Sequence, residues 1–265
     1  QAGLIAKSYV PTKEIRNLRE LLYHRTRLLA VRTKLKNRIH VTLAKYNLHA
    51  PYQYIFGPHG RRWLKTCPLP DTMMNIVEDC LQLIDQLDPR IDLYYQRIKD
   101  AVLGHPYFPI LTSAYGINVI HGATIIARIA TIDRFPTVEG FIRYAGMAVN
   151  TRASADRLTY GHLTRQADKY LRGAFVEASY LVIRHDPGLC AFYDYLRSHK
   201  GHGCAICAVA RKLARSVYFM LKHRTHYRVR KIHPKYIQLA PSAKHLVLKR
   251  PAVASYQASS QHHQG

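Results

Sequence analysis

From Ile15 onward, Leu18, Leu21, Leu28, Leu35 and Ile39 recur at helical spacing up to about Tyr46. Thr12 precedes this run as an N-cap and Glu14 sits in its first turn, so the pattern predicts one long helix over 13–46. Residues 48–70 are rich in Pro, Gly and aromatics and read as a connection. Asp71 then opens a second helix, over 71–102, in which Met73, Val77, Cys80, Ile84, Leu87, Ile91, Tyr94 and Ile98 step by four and three. Such a stripe needs a partner stripe, which the first helix supplies; the two form a coiled-coil-like helical hairpin. Pro89, preceded by Asp88, predicts a kink or a restart with proline at the first helical position.

Residues 104–109 mark a boundary, after which short helices alternate with tight loops. Helical periods fall at about 110–114, 118–130, 137–145, 166–185, 190–199 and 203–222, with Gly146 and Gly188 in stop or turn positions. Residues 147–163 show no helical period, and strand signals are sparse. The expected fold is therefore mainly α: a helical hairpin region at 1–107, a compact helical domain at 108–224, and a tail at 225–265. The tail, with Pro234, Pro241 and Pro251, is expected to be disordered without a partner. There is no clear internal repeat.

Charge changes this picture. The 265 residues carry 40 Lys and Arg against 16 Asp and Glu, a formal net charge of +24. A field of that size calls for a polyanion, and DNA or RNA is the natural one. A membrane is set aside because the most apolar run, 117–127, is short of the roughly 18 residues that span a bilayer and is interrupted by His121. No Asp or Glu follows Asp194, whereas Lys and Arg continue to Arg250. Five cysteines, an odd number without framework spacing or a secretory segment, indicate a reducing cytoplasm. The chain opens on Gln1 and is read as a fragment.

Several groups could carry function. Arg25 and Arg32 occupy stripe positions of the first helix, and Lys36 and Arg38 lie among its other cations, so the helix could follow a phosphate backbone; a merely solvated basic face is the alternative. The segment 115–118, between two apolar helical runs, resembles a helix-hairpin-helix turn that offers backbone N–H groups to a phosphate. Gly116 takes its first tight position and Asn118 its second, which Asn can fill at positive φ; an ordinary helix–helix turn is the alternative. Cys204 and Cys207, near His199 and His202, invite a zinc reading, but their three-residue step among Ala205, Ile206, Ala208 and Val209 predicts inward-facing core thiols, and no metal site is assigned. The domain's carboxylates, Asp133, Glu139, Asp156, Asp168 and Glu177, show no spacing that implies a two-metal site. Ser154 lies in the non-helical segment between Arg152 and Arg157, with Arg165, Lys169 and Arg172 following. A serine attacking a phosphodiester would need such cations, while a local turn hydroxyl is the plainer reading.

These segments together resemble a known family. Leu111 through Asn118 stand where it has L-x-x-(I)-P-G-I-G. Arg134-Phe135-Pro136 and Tyr144-Ala145-Gly146-Met147 follow, then Ser154 at the family distance beyond Y-A-G. Gly161, Leu163-Thr164-Arg165, Leu171-Arg172 and 208–213 complete the order, and Leu18-Arg19 with 25–38 match a long basic helix upstream. The family is the insertion-sequence transposases numbered one hundred and ten, which look like bridge-RNA-guided DEDD recombinases. The resemblance implies a DNA transposase in which Ser154 corresponds to a nucleophilic serine and a RuvC-like acidic tetrad binds magnesium. Gln1 stands where the last acid of that tetrad belongs, so the acidic domain is expected to be missing, no cofactor is expected in this chain, and chemistry is not expected of it alone. The sequence departs from the pattern at Tyr115 for Pro, Asn118 for Gly, Ala155 for Gly and Ala167-Asp168 for Gly-Asn.

The function expected is transposition and site-specific recombination of an insertion sequence. Nucleic-acid contacts are expected from Arg25, Arg32, Lys36, Arg38, Gly116, Asn118, Arg152, Arg157, Arg165, Lys169 and Arg172. Expected partners are DNA, a guide RNA and further copies of the chain joined through the helical hairpin. The rival is a non-catalytic DNA- or RNA-binding module, a transposase remnant.

Overall fold

The structure is a computed structural model describing residues 9–154, 157–163 and 167–237, with the 149–163 segment described by its backbone. The chain divides into two compact units between Gly104 and His105.

The first unit is built on two 33-residue helices, α1 (Lys13–Lys45) and α3 (Asp71–Leu103), which pack antiparallel. At about 1.5 Å per residue each is roughly 50 Å long. Thr12 caps α1, its hydroxyl accepting from Ile15 N at 3.4 Å. The seam follows the predicted stripes: Ile15, Leu18 and Ile39 are buried on α1, and Val77, Cys80, Ile84, Ile91 and Ile98 on α3. α3 runs through Pro89 without interruption, so neither a restart nor a break occurs there. Pro89 is exposed, which leaves water to satisfy the carbonyl it orphans, and salt bridges flank it: Arg32 Nη1 to Asp88 at 2.7 Å, and Arg61 to both oxygens of Asp85 at 2.7 and 2.6 Å. The connection contains a further helix, α2 (Pro58–Lys65), with proline at its first position. It closes the core over Ile39, Leu43, Ile55, Phe56, Leu64, Val77 and Ile84.

The second unit contains α4 (Phe108–Thr112), α5 (Val119–Ile129), a 3-10 turn (Ile132–Arg134), α6 (Val138–Tyr144), α7 (Lys169–Val182), α8 (Pro187–His223) and α9 (Pro234–Ile237). α7 and α8 carry the core, with α5 and α6 against them. Phe141 is fully buried and meets Phe175 edge-on at 6.2 Å, Phe135 at 5.3 Å and Tyr218 at 5.7 Å. The fold is mainly α, as expected, with one addition: β1 (Val149–Ser154) and β2 (Arg157–Leu163) form an antiparallel two-stranded hairpin where no helical period was found.

Two local expectations need correcting, whereas the two helices predicted at 190–199 and 203–222 both form, as the two halves of α8 on either side of a kink at Gly201, whose φ of 78° and ψ of 170° are non-helical. Only glycine accepts that geometry readily. After this break the buried stripe is Ala205, Ile206, Val209, Ala210 and Leu213; Cys204 falls outside it and is exposed, while Cys207 on its flank is half-buried, so they are not paired core thiols. The tail's first part, 225–237, is an ordered strap rather than a free arm. Asp186, fully buried, caps α8 by accepting from Leu189 N at 2.8 Å, and its other oxygen accepts from Tyr227 Oη at 2.6 Å and Arg230 N at 3.1 Å. Ile232 and Tyr236 then pack on Cys190 and Ala191. Burial and the Asp186 carboxylate push the Tyr227 phenol far above its ordinary value, so it stays a donor.

Gly116 and Gly173 test this packing in opposite directions. At Gly116, with φ of 86°, an added Cβ would fall on the Ala178 carbonyl, whereas at Gly173 in α7 it meets nothing within 4 Å. Gly116→Ala is expected to destabilise the second unit by about 2 kcal/mol or more, and Gly173→Ala to stabilise it by about 0.5–1 kcal/mol, in urea unfolding.

Candidate nucleic-acid interface

In the first unit, charge separates by helix. α1 carries ten basic and two acidic residues, and α3 three basic and seven acidic, so a polyanion can approach the hairpin along α1 alone. Not all the predicted contacts are on that approach. Arg32 is held by Asp88, and the Arg25 guanidinium carbon lies 5.8 Å from the Tyr95 ring centroid with its Nε buried and unbonded. Burial and the neighbouring Arg32 lower the Arg25 pKa from its ordinary value. Lys36 reaches back to Tyr54 Oη at 3.2 Å and lies 4.8 Å from the Phe56 ring centroid. Stripe position explains the first two, since a cation on the seam is recruited to the partner helix, while Lys36, off the stripe, is taken by the connection. Arg38 is exposed, as are Arg16, Arg27, Lys34 and Lys45, which complete the basic face.

In the second unit, the turn between α4 and α5 differs from the predicted hairpin. Gly116 takes the left-handed conformation, but Asn118 is extended, with φ of −81° and ψ of −176°. Its side chain caps α5 instead, accepting from His121 N at 2.9 Å. The Asn amide oxygen replaces the backbone contortion that a second glycine would have supplied. His121 ties the turn to α7: Nδ1 lies 2.8 Å from Gly116 O and Nε2 3.0 Å from Glu177 Oε2. Beside the turn, Tyr115 stacks on His185 with centroids 4.9 Å apart.

The β hairpin springs from a base dense in arginine. Gly146, with φ of 69°, lies against Ala167 and the Arg172 guanidinium, where a Cβ would sit 2.7 Å from Nη2. Asp168 N donates to Tyr144 O at 3.1 Å, which joins the hairpin's two ends. The Asp168 carboxylate caps α7 through Tyr170 N and Leu171 N, both at 3.0 Å, and meets Arg128 Nε at 3.5 Å. Arg128 also covers the Tyr170 ring at 4.2 Å, and Arg134 the Tyr144 ring at 4.9 Å. Lys169 is exposed at the start of α7. Arg128 was missed in the sequence because nothing in its spacing distinguishes it from a solvated arginine, whereas Arg134 stood in the Arg134-Phe135-Pro136 motif without being given a role.

Along the hairpin, Arg152 pairs with Thr159, Ala153 with Leu158 and Ser154 with Arg157, so Arg152, Ser154 and Arg157 fall within three consecutive rungs at its closed end. Arg165, Ala155 and Asp156 lie outside the described residues.

Every described carboxylate of this unit already has a partner. Asp133 meets Lys222 at 3.0 Å, which holds its pKa below the usual carboxylate value; Glu139 meets Arg215, Asp168 Arg128, Glu177 His121 and Asp186 Tyr227, and Asp194 lies 3.9 Å from the Cys190 thiol. Among the described residues no three His, Cys, Asp or Glu side chains come together to hold a metal ion, so the described residues do not fit the magnesium site that the resemblance implies. None of the described helices is long and apolar enough to cross a membrane.

Fold and surface thus define a mainly helical chain whose second unit commits its described carboxylates to structural junctions around a glycine-dependent turn and the base of a β hairpin. Residues 109–194 match the family model described as Transposase IS116/IS110/IS902 family. The chain is also similar to the insertion element IS110 uncharacterized 43.6 kDa protein of Streptomyces coelicolor, 29% identical over 135 residues, or 51% of this chain and 33% of that protein. The match thus spans about a third of that relative's length. The segment matched by the family model takes in the α4–α5 turn, the hairpin with Ser154, α7 and Asp186.

The five cysteines should differ sharply in reactivity. Cys204 is exposed, whereas burial, with Asp194 adding to it, pushes the Cys190 thiol up to about 11. Titration with a thiol-specific disulfide reagent at pH 8 should label Cys204 first and Cys190 only on unfolding; equal rates would contradict this arrangement.

Proposed function

We propose that this chain is the DNA-engaging part of an insertion-sequence transposase, and that Ser154 supplies the hydroxyl that attacks a DNA phosphodiester. The observation that carries the proposal is the place of Ser154: at the closed end of a hairpin whose base is gathered by Arg128 and Arg172, in the matched segment. Serine is a weak nucleophile without a base or a metal, and attack builds charge on the phosphoryl oxygens. The hairpin's own Arg152 and Arg157 stand within the same three rungs as Ser154, while Lys169 and Arg172 follow at the base and Arg165 precedes them in the sequence. The described carboxylates hold structure and not a metal, so in this reading a metal-binding acidic cluster comes from outside the residues described.

The rest of the surface serves binding. The exposed cations of α1 follow a phosphate backbone, and the Gly116–Asn118 turn offers N–H groups at the start of α5. Further copies of the chain joined through the hairpin helices, a guide RNA beside the DNA, and a cytoplasmic site of action complete the reading. The alternative, a non-catalytic DNA- or RNA-binding remnant, is favoured by the same engaged carboxylates.

Supplying an acidic RuvC-like domain from a related element in trans, and assaying cleavage and joining of the element's ends, separates the two. Ser154→Ala should lower the rate by at least about a thousandfold while duplex binding persists. An alanine variant that cleaves and joins like its parent would make Ser154 a turn residue only.

A further inference from the structure

The strap at 225–237 follows an unusual path for so basic a segment. It leaves α8 at Arg224, which takes a left-handed cap with φ of 55°, and turns back along the unit. Tyr227 N donates to Ser113 Oγ at 2.9 Å, which fastens the strap beside the α4–α5 turn. The Asp186 carboxylate then takes the Tyr227 phenol and the Arg230 N–H, and Gly188 N donates to Arg230 O at 3.2 Å. The Arg230 guanidinium is turned inward to Lys212 O and Ser216 Oγ, and Tyr236 docks on Phe192 and Tyr195 at 5.8 and 5.2 Å. Every inward group of the strap is therefore bonded or packed.

The outward groups are cations. Arg228, Lys231 and Lys235 are exposed, and at the α7–α8 corner beside the strap Arg184 and His185 are exposed as well, with Tyr115 stacked on His185. Asp186, which bonds the strap through Arg230 N, is fully buried and committed, and no acidic residue follows Asp194. A free basic tail would lose conformational entropy on meeting a polyanion; a clamped one has lost it already in folding.

We infer that the clamped strap and the adjoining α7–α8 corner form a second phosphate-binding strip, separate from the Ser154 hairpin, that takes the backbone of duplex DNA. This rests on the proposed function, and duplex DNA is chosen because it is the substrate that function requires. Asp186 acts as a positioning residue: it binds no phosphate but fixes the line on which Arg228, Lys231 and Lys235 stand. Sequence-independent positioning of the duplex is the work such backbone contacts do.

Two variants test the strip in the full chain, with binding to a duplex oligonucleotide measured across a salt series. Arg228→Ala/Lys231→Ala/Lys235→Ala should make the log–log salt slope shallower by about 2 to 3, near 0.9 for each phosphate that is no longer neutralised. Gly188→Val keeps the charge but places a side chain where Arg230 Cβ and Lys231 O stand 2.7 Å from an ideal Cβ, so it should lift the strap. Trypsin should then cut at 228–231 while helicity is retained, and duplex affinity should fall about tenfold. A steep parent slope that the triple variant leaves unchanged overturns the strip and spares the proposed function; a parent with no steep slope fails the proposed function itself. The strip is also overturned by a Gly188→Val strap that stays protected from trypsin, by a released strap that leaves affinity unchanged, or by losses confined to an RNA hairpin of equal length.

Discussion

Carboxylates are the scarce component of this protein, and their placement decides much else. With sixteen acids against forty Lys and Arg, each acid can stabilise one structural junction, and the surplus cations must face water or a ligand. In the second unit Asp168 holds the start of α7 and the base of the β hairpin, Asp186 the start of α8 and the strap, and Glu177 the α4–α5 turn through His121. Asp186 bears the most, because a fully buried carboxylate must have its lone pairs occupied, and it is served by Leu189 N, Tyr227 Oη and Arg230 N together. In the second unit each described carboxylate is committed to such a junction, and among the described residues no three His, Cys, Asp or Glu side chains gather to hold a metal ion.

Much of the architecture was legible because long periodic elements announce themselves. The stripes on α1 and α3 and the cap at Thr12 placed the hairpin to within a residue or two, although Asp71, expected as a cap, is the first residue of α3 behind Pro70 and makes no capping bond; the alternation of short apolar runs with glycines placed α4 to α7. What escaped was governed by tertiary contact. In the β hairpin Asn150, Arg152, Arg157 and Gly161 interrupt Val149, Thr151, Leu158 and Tyr160, and the register shifts between Val149 and Thr151, so the strand signal is weak. The strap looks like a disordered basic tail because its anchors, Tyr227, Ile232 and Tyr236, are spaced to suit a surface and follow no period. At Pro89 the helix continues and does not restart, on an exposed position just beyond the salt-bridged Asp85 and Asp88.

The candidate site shows the same division. Arg25 and Arg32 look like phosphate ligands in a sequence and are largely internal in the fold, where Tyr95 and Asp88 receive them. Arg128 looks like nothing in particular and Arg134 only stands in a motif, yet they brace Tyr144, Tyr170 and Asp168 beneath the hairpin. The Y-A-G motif marked the start of the β hairpin, whereas the cations gathered at its base depended on which helices meet at Gly146. That meeting is itself a glycine effect, since any Cβ there would displace Arg172.

A field of +24 distributed over α1, the hairpin base and the strap has one direct thermodynamic signature, the release of counterions when a duplex is bound. If roughly 8 to 10 phosphates are neutralised, the logarithm of the affinity for duplex DNA should fall against the logarithm of salt concentration with a slope of about −7 to −9. A slope shallower than about −3 would contradict the account, because the outward cations would then be a solvated surface and not a nucleic-acid interface.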